Sequence, residues 1–344
     1  MISAVLQTSF LGDMILTTPL ITRLARDGPV HVVATPANAA VLANHPAMAS
    51  VIVYDKRGAD AGLGGLRRVA ARLRATGATT AYMAQGSWRT AALARLAGVP
   101  SVGFDSSAGR WLYSRRVAYR KDWHHAQRLW ALANDRRSAE PAVPEPLRPS
   151  LYPGADDVAR VIALLETAGV GPNECVIALA PGSVWATKRW PSYDALAGEL
   201  VARLPDARVV VLGAVSDAPL AAAITDAVRQ RGGPAVIDAT GRLSLLGSAA
   251  LLSRCAALVT NDSAPLHLAS AMNTPTIALF GPTVPAMGFG PLADRRLVLE
   301  MASLTCRPCS AHGGQACPLG HWRCMRDLSA SAVVEAVAGM SGPS

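Results

Sequence analysis

A carboxylate stands in the first short loop of the chain, directly after an apolar segment that predicts a buried strand. The loop covers residues 8–13 and ends in Gly12 and Asp13, where a helical pattern begins. A carboxylate at a helix N-terminus is favoured by the helix dipole and commonly caps the helix. Pointed into a cleft, the same group suits a general base that removes a proton from an attacking hydroxyl. The sequence leaves both roles open for Asp13.

Anion-binding groups occupy a second loop, A-P-G-S-V-W-A-T-K-R-W-P at residues 180–191. Ser183 lies where backbone N–H groups could meet a phosphate, and Thr187 and Lys188 add a hydroxyl and an ammonium. These are the ingredients of an anion site, although the spacing is not that of a Walker A loop. The alternative is a solvated Lys-Arg pair between locally packed tryptophans.

The densest pattern covers residues 260–283 and begins with T-N-D-S-A-P-L-H. Asp262 and Ser263 occupy a turn, with Ser263 placed to be a helix N-cap and Pro265 in the first helical turn. The N–H groups at the start of such a helix favour a diphosphate or a ribose hydroxyl. His267 follows within the helix, where it is either a structural histidine or part of the same site.

A basic and aromatic segment covers residues 110–128 and includes Arg115, Arg116, Arg120 and Lys121 among tryptophans and tyrosines. One interpretation is a solvated loop. Another is a surface for an anionic lipid-linked acceptor or for the membrane interface. Such segments also bind single-stranded nucleic acid, but no nucleic-acid-binding signature accompanies this one, so we expect no nucleic-acid partner.

Four cysteines lie close together near the C-terminus with the spacing C-x2-C-x7-C-x6-C. They are Cys306, Cys309, Cys317 and Cys324. Four thiolates could hold zinc, but the second pair is widely spaced. The alternative, reduced and partly buried cysteines, is the one we expect, and no metal site is predicted.

The elements that must position these groups alternate between strand-like and helical segments, which predicts parallel βαβ units and the α/β fold class. Residues 141–149 hold four prolines and form a natural linker. The predicted domains are residues 1–150 and 151–328, each doubly wound, followed by a helix and tail at 329–344. Such sheets bind ligands beyond the carboxyl ends of their strands, so the loops are expected to line a cleft. Pro19 is expected to kink or restart the first helix.

The composition is typical of a folded cytoplasmic protein. Of the 344 residues, 51% are hydrophobic, unlike the composition of disordered chains. No run of about 18 apolar residues predicts a membrane span, and the N-terminus lacks the basic start of a signal peptide. In the cytoplasm the cysteines stay reduced. The net charge of +9 suits an acidic partner, and equally a well-solvated Arg-rich surface.

Four motifs together resemble the signature blocks of the ADP-heptose:lipopolysaccharide heptosyltransferases, glycosyltransferase family 9, and most of all the second-heptose type. In chain order they are G-D-M-I-L-T-T-P at 12–19, T-K-R-W-P at 187–191, T-N-D-S-A-P-L-H-L-A at 260–269 and L-F-G-P-T at 279–283. Their order and spacing are similar to those of the family over nearly the whole chain.

The resemblance implies the GT-B fold, with two facing Rossmann-like domains. The first domain would bind the acceptor and the second the nucleotide sugar. It implies that Asp13 is the catalytic base and that Lys188 stabilises the departing diphosphate. The implied donor-binding residues are Ser183, Thr187, Lys188, Asp217, Asp262, Ser263 and His267. Ala264 departs from the family, because many relatives have glycine at that position.

The implied reaction is inverting and metal-independent, needs no cofactor, and uses ADP-heptose as its donor substrate. The implied acceptor is an anionic lipid-linked saccharide, reached in the cytoplasm or on the cytoplasmic face of the inner membrane. One alternative is a GT-B transferase with another nucleotide sugar or acceptor. Another is a non-catalytic nucleotide-sugar or nucleic-acid binding protein. A nicotinamide dehydrogenase is not expected, because no G-x-G-x-x-G follows a predicted strand.

Overall fold

The computed structural model describes residues 1–134 and 147–341. The chain divides into two compact units, Met1–Tyr152 and Pro153–Ser344. Residues 141–146 of the predicted linker lie outside the described residues, and residues 147–149 belong to neither helix nor strand. Each unit is built on a six-stranded sheet with helices between most successive strands, so the predicted α/β fold class is confirmed.

The first unit contains six strands, β1 Ser3–Gln7, β2 Val30–Ala34, β3 Ser50–Val53, β4 Thr80–Met83, β5 Ser101–Phe104 and β6 Arg115–Val117. Its helices are α1 Leu11–Ala25, α2 Pro36–Val41, α3 Gly62–Ala75, α4 Trp88–Ala97 and α5 His125–Ala131. A 3₁₀ turn, Arg110–Leu112, precedes β6. The strands lie in the order β3-β2-β1-β4-β5-β6, and all their pairings are parallel.

The second unit repeats this topology. Its strands are β7 Val176–Ala180, β8 Arg208–Val211, β9 Ile237–Asp238, β10 Ala257–Asn261, β11 Thr276–Phe280 and β12 Arg296–Glu300. Its helices are α6 Ala155–Thr167, α7 Tyr193–Arg203, α8 Ala218–Gln230, α9 Leu245–Arg254, α10 Ala264–Met272, α11 Arg323–Arg326 and α12 Ala330–Ser341. The order is β12-β11-β10-β7-β8-β9, again fully parallel. In both units the strand order reverses beside the first strand, which is where open α/β sheets bind ligands.

The central strands are buried along their whole length, as β1, β7 and β10 show. Strands covered by helices on both faces read as continuous apolar runs, which is why they were visible in the sequence. The C-terminal helix α12 packs Val333, Val334 and Val337 into the core of the second unit.

The first helix does not restart at Pro19, which is one of the two outcomes that the sequence predicted. Helix α1 is continuous, with Pro19 in its interior. Proline has no N–H to donate to the carbonyl of Ile15, four residues earlier. The hydroxyl of Thr18 donates to that carbonyl instead, at 2.8 Å. A neighbouring side chain therefore restores the hydrogen bond that the proline removes.

Candidate active site

Asp13 lies at the third position of α1, whose N-cap is Phe10, so it is not itself the N-cap residue. Its Oδ2 lies 2.5 Å from the hydroxyl of Ser9, which also lies 2.7 Å from Oε1 of Gln7. The Gln7 amide is fixed because its Nε2 donates to the carbonyl of Ala84 at 3.0 Å. Ser9 has one proton. The Ser9 hydroxyl can donate this proton to an ionised Asp13. When Asp13 is protonated, the hydroxyl can instead accept from Asp13 and donate to Gln7. This network holds the carboxylate in both protonation states.

His125 lies on the other side of this carboxylate, and the sequence analysis missed it. Its Nε2 is 3.8 Å from Oδ1 of Asp13, and the two side chains are 12% and 20% exposed. The contact arises because α5, which begins with His125, packs against α1. In the sequence, His125 belongs to the basic and aromatic segment at residues 110–128, and nothing in the local pattern indicated its contact with Asp13.

A cavity of about 580 Å³ opens beside Asp13, lined by the loops that follow β1, β2, β3 and β4. Lys56 and Arg57 line it, and the Lys56 ammonium donates to the carbonyl of Thr8 at 2.6 Å. Burial, with the positive charges of Arg57 and Arg89, lowers the pKa of Lys56. Asp55 shares the lining, but its carboxylate accepts from N–H groups of its own turn. The cavity is thus suited to an anion, and the sequence did not predict these cationic residues.

In the second unit, Lys188 and Asp262 form a buried ion pair. Lys188 Nζ donates to Oδ2 of Asp262 at 2.5 Å, and each residue is 8% exposed. The hydroxyl of Thr283 donates to the same oxygen at 2.7 Å. These residues follow β7, β10 and β11, which are neighbours in the sheet. The structure therefore brings the second and third predicted loops together.

Ser263 is the N-cap residue of α10, as predicted, but its side chain does not cap the helix. Its Oγ is buried and has no hydrogen-bond partner among the described residues. A buried hydroxyl without a partner is uncommon in folded proteins. Together with the N–H groups of the α10 N-terminus, it forms a donor set for an anion.

The hydroxyl of Thr187 is engaged within the protein. It donates to the carbonyl of Gly314 at 2.9 Å and accepts from the Gly314 N–H at 2.8 Å. Gln315 holds the same loop, since its amide donates to the carbonyl of Val184 at 3.0 Å. The Cys-rich segment thereby fixes the loop that carries Lys188, a contact that nothing in the local sequence indicated.

The other predicted donor residues lie at this end of the sheet with local partners. Ser183 accepts from the N–H of Trp185 at 3.3 Å. Asp217 accepts from the N–H of Ala214 at 2.9 Å and packs so closely on Gly182 that a Cβ there has no room. His267 is buried within α10.

Asn261 is a further site residue that sequence reasoning did not select. It is fully buried at the end of β10. Its amide donates to the carbonyl of Pro181 at 2.8 Å and accepts from the N–H of Trp190 at 3.2 Å. It thus holds both ends of the Lys188 loop against the end of β10.

The four predicted acceptor-surface residues fall into two groups. Arg115 is turned inward and donates to the carbonyls of Leu132 and Asn134, at 2.9 Å each. Arg116, Arg120 and Lys121 are exposed. Only the second group is placed to meet a partner at the surface.

The Cys-rich segment holds no assembled metal site in the described part of the chain, where no group of three or more His, Cys, Asp or Glu residues is placed to hold an ion. The Cys306 sulfur lies 3.8 Å from Nε2 of His321. Burial, followed by the neighbouring Cys306 and Cys317, raises the pKa of Cys309. The segment is tied to the sheet by Arg307, whose guanidinium donates to the carbonyls of Gly281, Phe280 and Thr283.

Comparison with known proteins identifies the family. The family model for glycosyltransferase family 9 (heptosyltransferase) matches residues 66–322. The chain is 31% identical over 316 residues to lipopolysaccharide heptosyltransferase 1 of Pseudomonas aeruginosa, covering 88% of this chain and 84% of the relative. Its structure is similar to that of Escherichia coli ADP-heptose lps heptosyltransferase II, with a TM-score of 0.79 at 24% identity, covering 99% of this chain and 98% of that one. A second similar structure, E. coli heptosyltransferase WaaC with ADP, has a TM-score of 0.70 at 21% identity over 98% and 99% of the chains.

The chain belongs to glycosyltransferase family 9 and is a glycosyltransferase. The family indicated by the four motifs is confirmed, and the likeness to the two solved structures confirms the GT-B fold class. This membership sets aside the alternative of a non-catalytic binding protein.

Proposed function

We propose that this chain transfers a heptose from ADP-heptose to an anionic, lipid-linked saccharide of the lipopolysaccharide inner core, with inversion at the transferred carbon. The similar proteins support this choice, since they include a lipopolysaccharide heptosyltransferase 1 and an ADP-heptose lps heptosyltransferase II. Residues 151–328 would bind the donor and residues 1–150 the acceptor.

The observation that carries the donor assignment is the buried Lys188–Asp262 pair beside the Ser263 hydroxyl, which has no hydrogen-bond partner within residues 1–134 and 147–341. A nucleoside diphosphate supplies acceptor oxygens for that hydroxyl and for the N–H groups of α10. Negative charge grows on the diphosphate as it departs, and Lys188 stabilises it, oriented by Asp262. We assign Ser183, Thr187, Asp217 and His267 to the walls of the same site, with Thr187 acting through the loop that it fixes.

The acceptor assignment is supported by the cationic cavity beside Asp13. Lys56 and Arg57 suit the charged groups of an anionic saccharide. Asp13 is hydrogen-bonded to Ser9, which lines this cavity, and a general base for an acceptor hydroxyl is needed there.

In the proposed step, Asp13 removes the proton from the acceptor hydroxyl. The hydroxyl oxygen forms a bond to the anomeric carbon of the heptose, and the bond from that carbon to the diphosphate breaks. ADP leaves with the bonding electron pair. The proton stays on Asp13, which donates to Ser9 until the proton passes to solvent. Attack on the face opposite the leaving group inverts the anomeric configuration.

We place the reaction on the cytoplasmic face of the inner membrane. Among the described helices, none has the length and apolar character needed to cross a bilayer. We propose that the contact with the membrane is peripheral.

The experiment is transfer by the purified protein, with ADP-heptose and a panel of truncated lipopolysaccharide acceptors, read by mass. A single added heptose on one acceptor is expected, with no loss of activity after EDTA treatment, because Lys188 and the α10 N-terminus supply the positive charge. Activity lost to EDTA and restored by Mg²⁺ would overturn the metal-independent reaction. Transfer from a different nucleotide sugar, with none from ADP-heptose, would overturn the assignment of ADP-heptose as the donor.

A further inference from the structure

Two tryptophans on one surface of the first unit are largely exposed, Trp88 by 61% and Trp111 by 74%. Leu112 is 41% exposed beside them. They share a surface because the 3₁₀ turn Arg110–Leu112 packs against α4, and Gly109 lies against the backbone of Trp88. Grouped exposed aromatic residues mark interaction surfaces rather than ordinary solvated ones.

This apolar surface is flanked by positive charge. The guanidinium carbons of Arg110 and Arg116 lie 5.0 and 5.5 Å from the centroid of the Trp111 ring. Residues 88–123 contain seven Lys and Arg residues, of which Arg115 is turned inward, and two carboxylates. One of these, Asp122, is already paired with Arg120 at 3.2 Å. The surface therefore suits a partner that is both apolar and anionic.

The surface begins next in the chain to a residue that lines the proposed acceptor cavity. Ser87 lines that cavity, and α4 begins at the next residue, Trp88. A lipid-linked acceptor keeps its lipid in the bilayer, so its saccharide reaches the cavity only if this side of the unit lies near the membrane. The place of the surface favours a bilayer over a nucleic acid.

We propose that the Trp-Arg patch, defined as Trp88, Arg110, Trp111, Leu112 and Arg116, docks the chain on an anionic phospholipid bilayer. Tryptophan side chains favour the headgroup level of a bilayer, because the ring has a large apolar part and an N–H group that can hydrogen-bond to water or headgroups. The arginines meet lipid phosphates and acidic headgroups. This inference rests on the proposed function, because it is the lipid-linked acceptor that requires the contact.

The test is flotation of the purified full chain with phosphatidylcholine vesicles, with and without phosphatidylglycerol. We expect binding only to the anionic vesicles, weakened by salt. Replacing Arg110 and Arg116 by alanine is expected to weaken binding about fivefold per arginine, and Trp111→Ala is expected to weaken it as well. The matched control replaces two exposed apolar residues of the second unit, Val158 and Ile162, by alanine and should bind like the parent protein.

Transfer to a soluble, delipidated acceptor is measured on the same preparations, and Trp111→Ala is expected to retain it. Vesicle binding without transfer to any acceptor would overturn the proposed function and leave the docking surface intact. Transfer without binding to anionic vesicles would overturn the docking surface. Equal binding to neutral vesicles would overturn it too, as would retention on single-stranded DNA but not on vesicles.

Discussion

The carboxylate of Asp13 is held by a hydroxyl on one oxygen and faced by an imidazole near the other. If it is the general base, Asp13→Asn is expected to lower kcat by about 10²- to 10⁴-fold, because the amide cannot accept the acceptor proton. ADP affinity, measured by calorimetry, should not change. The control is Asp27→Asn, which removes the carboxylate that pairs with Arg23 at the end of the same helix. Retained turnover in Asp13→Asn would contradict the base assignment.

His125 is expected to act by positioning Asp13. His125→Ala should lower kcat by up to about 10²-fold, the effect of a reacting group displaced by about an ångström. The KM values for donor and acceptor should stay unchanged, and His125→Gln, which keeps a donor group, should recover part of kcat. His312→Ala, at an exposed histidine, is the control. Equal KM and kcat changes in both His125 variants would point to a folding defect instead.

Lys188 forms the buried ion pair with Asp262, and its proposed role toward the donor diphosphate can be separated from that structural one. Lys188→Ala leaves the buried Asp262 without its partner, so the free energy of unfolding in urea should fall by about 3–5 kcal/mol. Adding Asp262→Asn removes the unpaired charge and should restore much of that stability. The donor KM should remain raised in both variants, because the charge that meets the diphosphate is gone. An unchanged donor KM in the stable double variant would reject the diphosphate role.

At the scale of elements, two helices of the second unit begin with serine in different ways. Ser244 caps α9, accepting from the N–H of Gly247 at 2.8 Å, so Ser244→Ala should cost about 1 kcal/mol of stability. The Ser263 hydroxyl makes no capping hydrogen bond to α10, so Ser263→Ala should not lower the free energy of unfolding. It should weaken ADP binding, which calorimetry measures. If Ser263→Ala destabilises as much as Ser244→Ala, the hydroxyl has a structural role.

Several inner elements agree with the sequence at both ends. The sequence predicts a strand at Val30–Ala34, a helix at Trp88–Ala97 and a strand at Thr276–Phe280, which are the bounds of β2, α4 and β11. Such buried strands read as continuous apolar runs, and helices repeat their apolar residues with a period near 3.6. The edge strands β6 and β12 were missed, since they are short or charged and half exposed. Helix α5 was missed because His124, an unusual N-cap residue, forms its capping box.

At the scale of the whole molecule, ADP is expected to stabilise the folded protein, because binding to the native state alone shifts the unfolding equilibrium. At an ADP concentration 100 times its dissociation constant, the free energy of unfolding should rise by about 2.7 kcal/mol. The rise is measured as a shift of the thermal transition. The Asp13→Asn variant should show the same shift as the parent protein. A shift that survives in the Lys188→Ala, Asp262→Asn double variant would mean that ADP binds elsewhere.

The sequence by itself determined the α/β class, the family and the three loops that hold Asp13, Lys188 and Asp262. It could do so because apolar runs, loop composition and motif spacing are local properties of the chain. Only the tertiary structure decided which side chains meet. Lys188 and Asp262 are 74 residues apart in the chain, and they meet because strand order places β7 beside β10. Likewise, His125 faces Asp13 because α5 packs on α1. The Thr187 hydroxyl donates a hydrogen bond to the carbonyl of Gly314, which is distant in the chain. Such contacts depend on sheet order and helix packing, which local spacing does not encode.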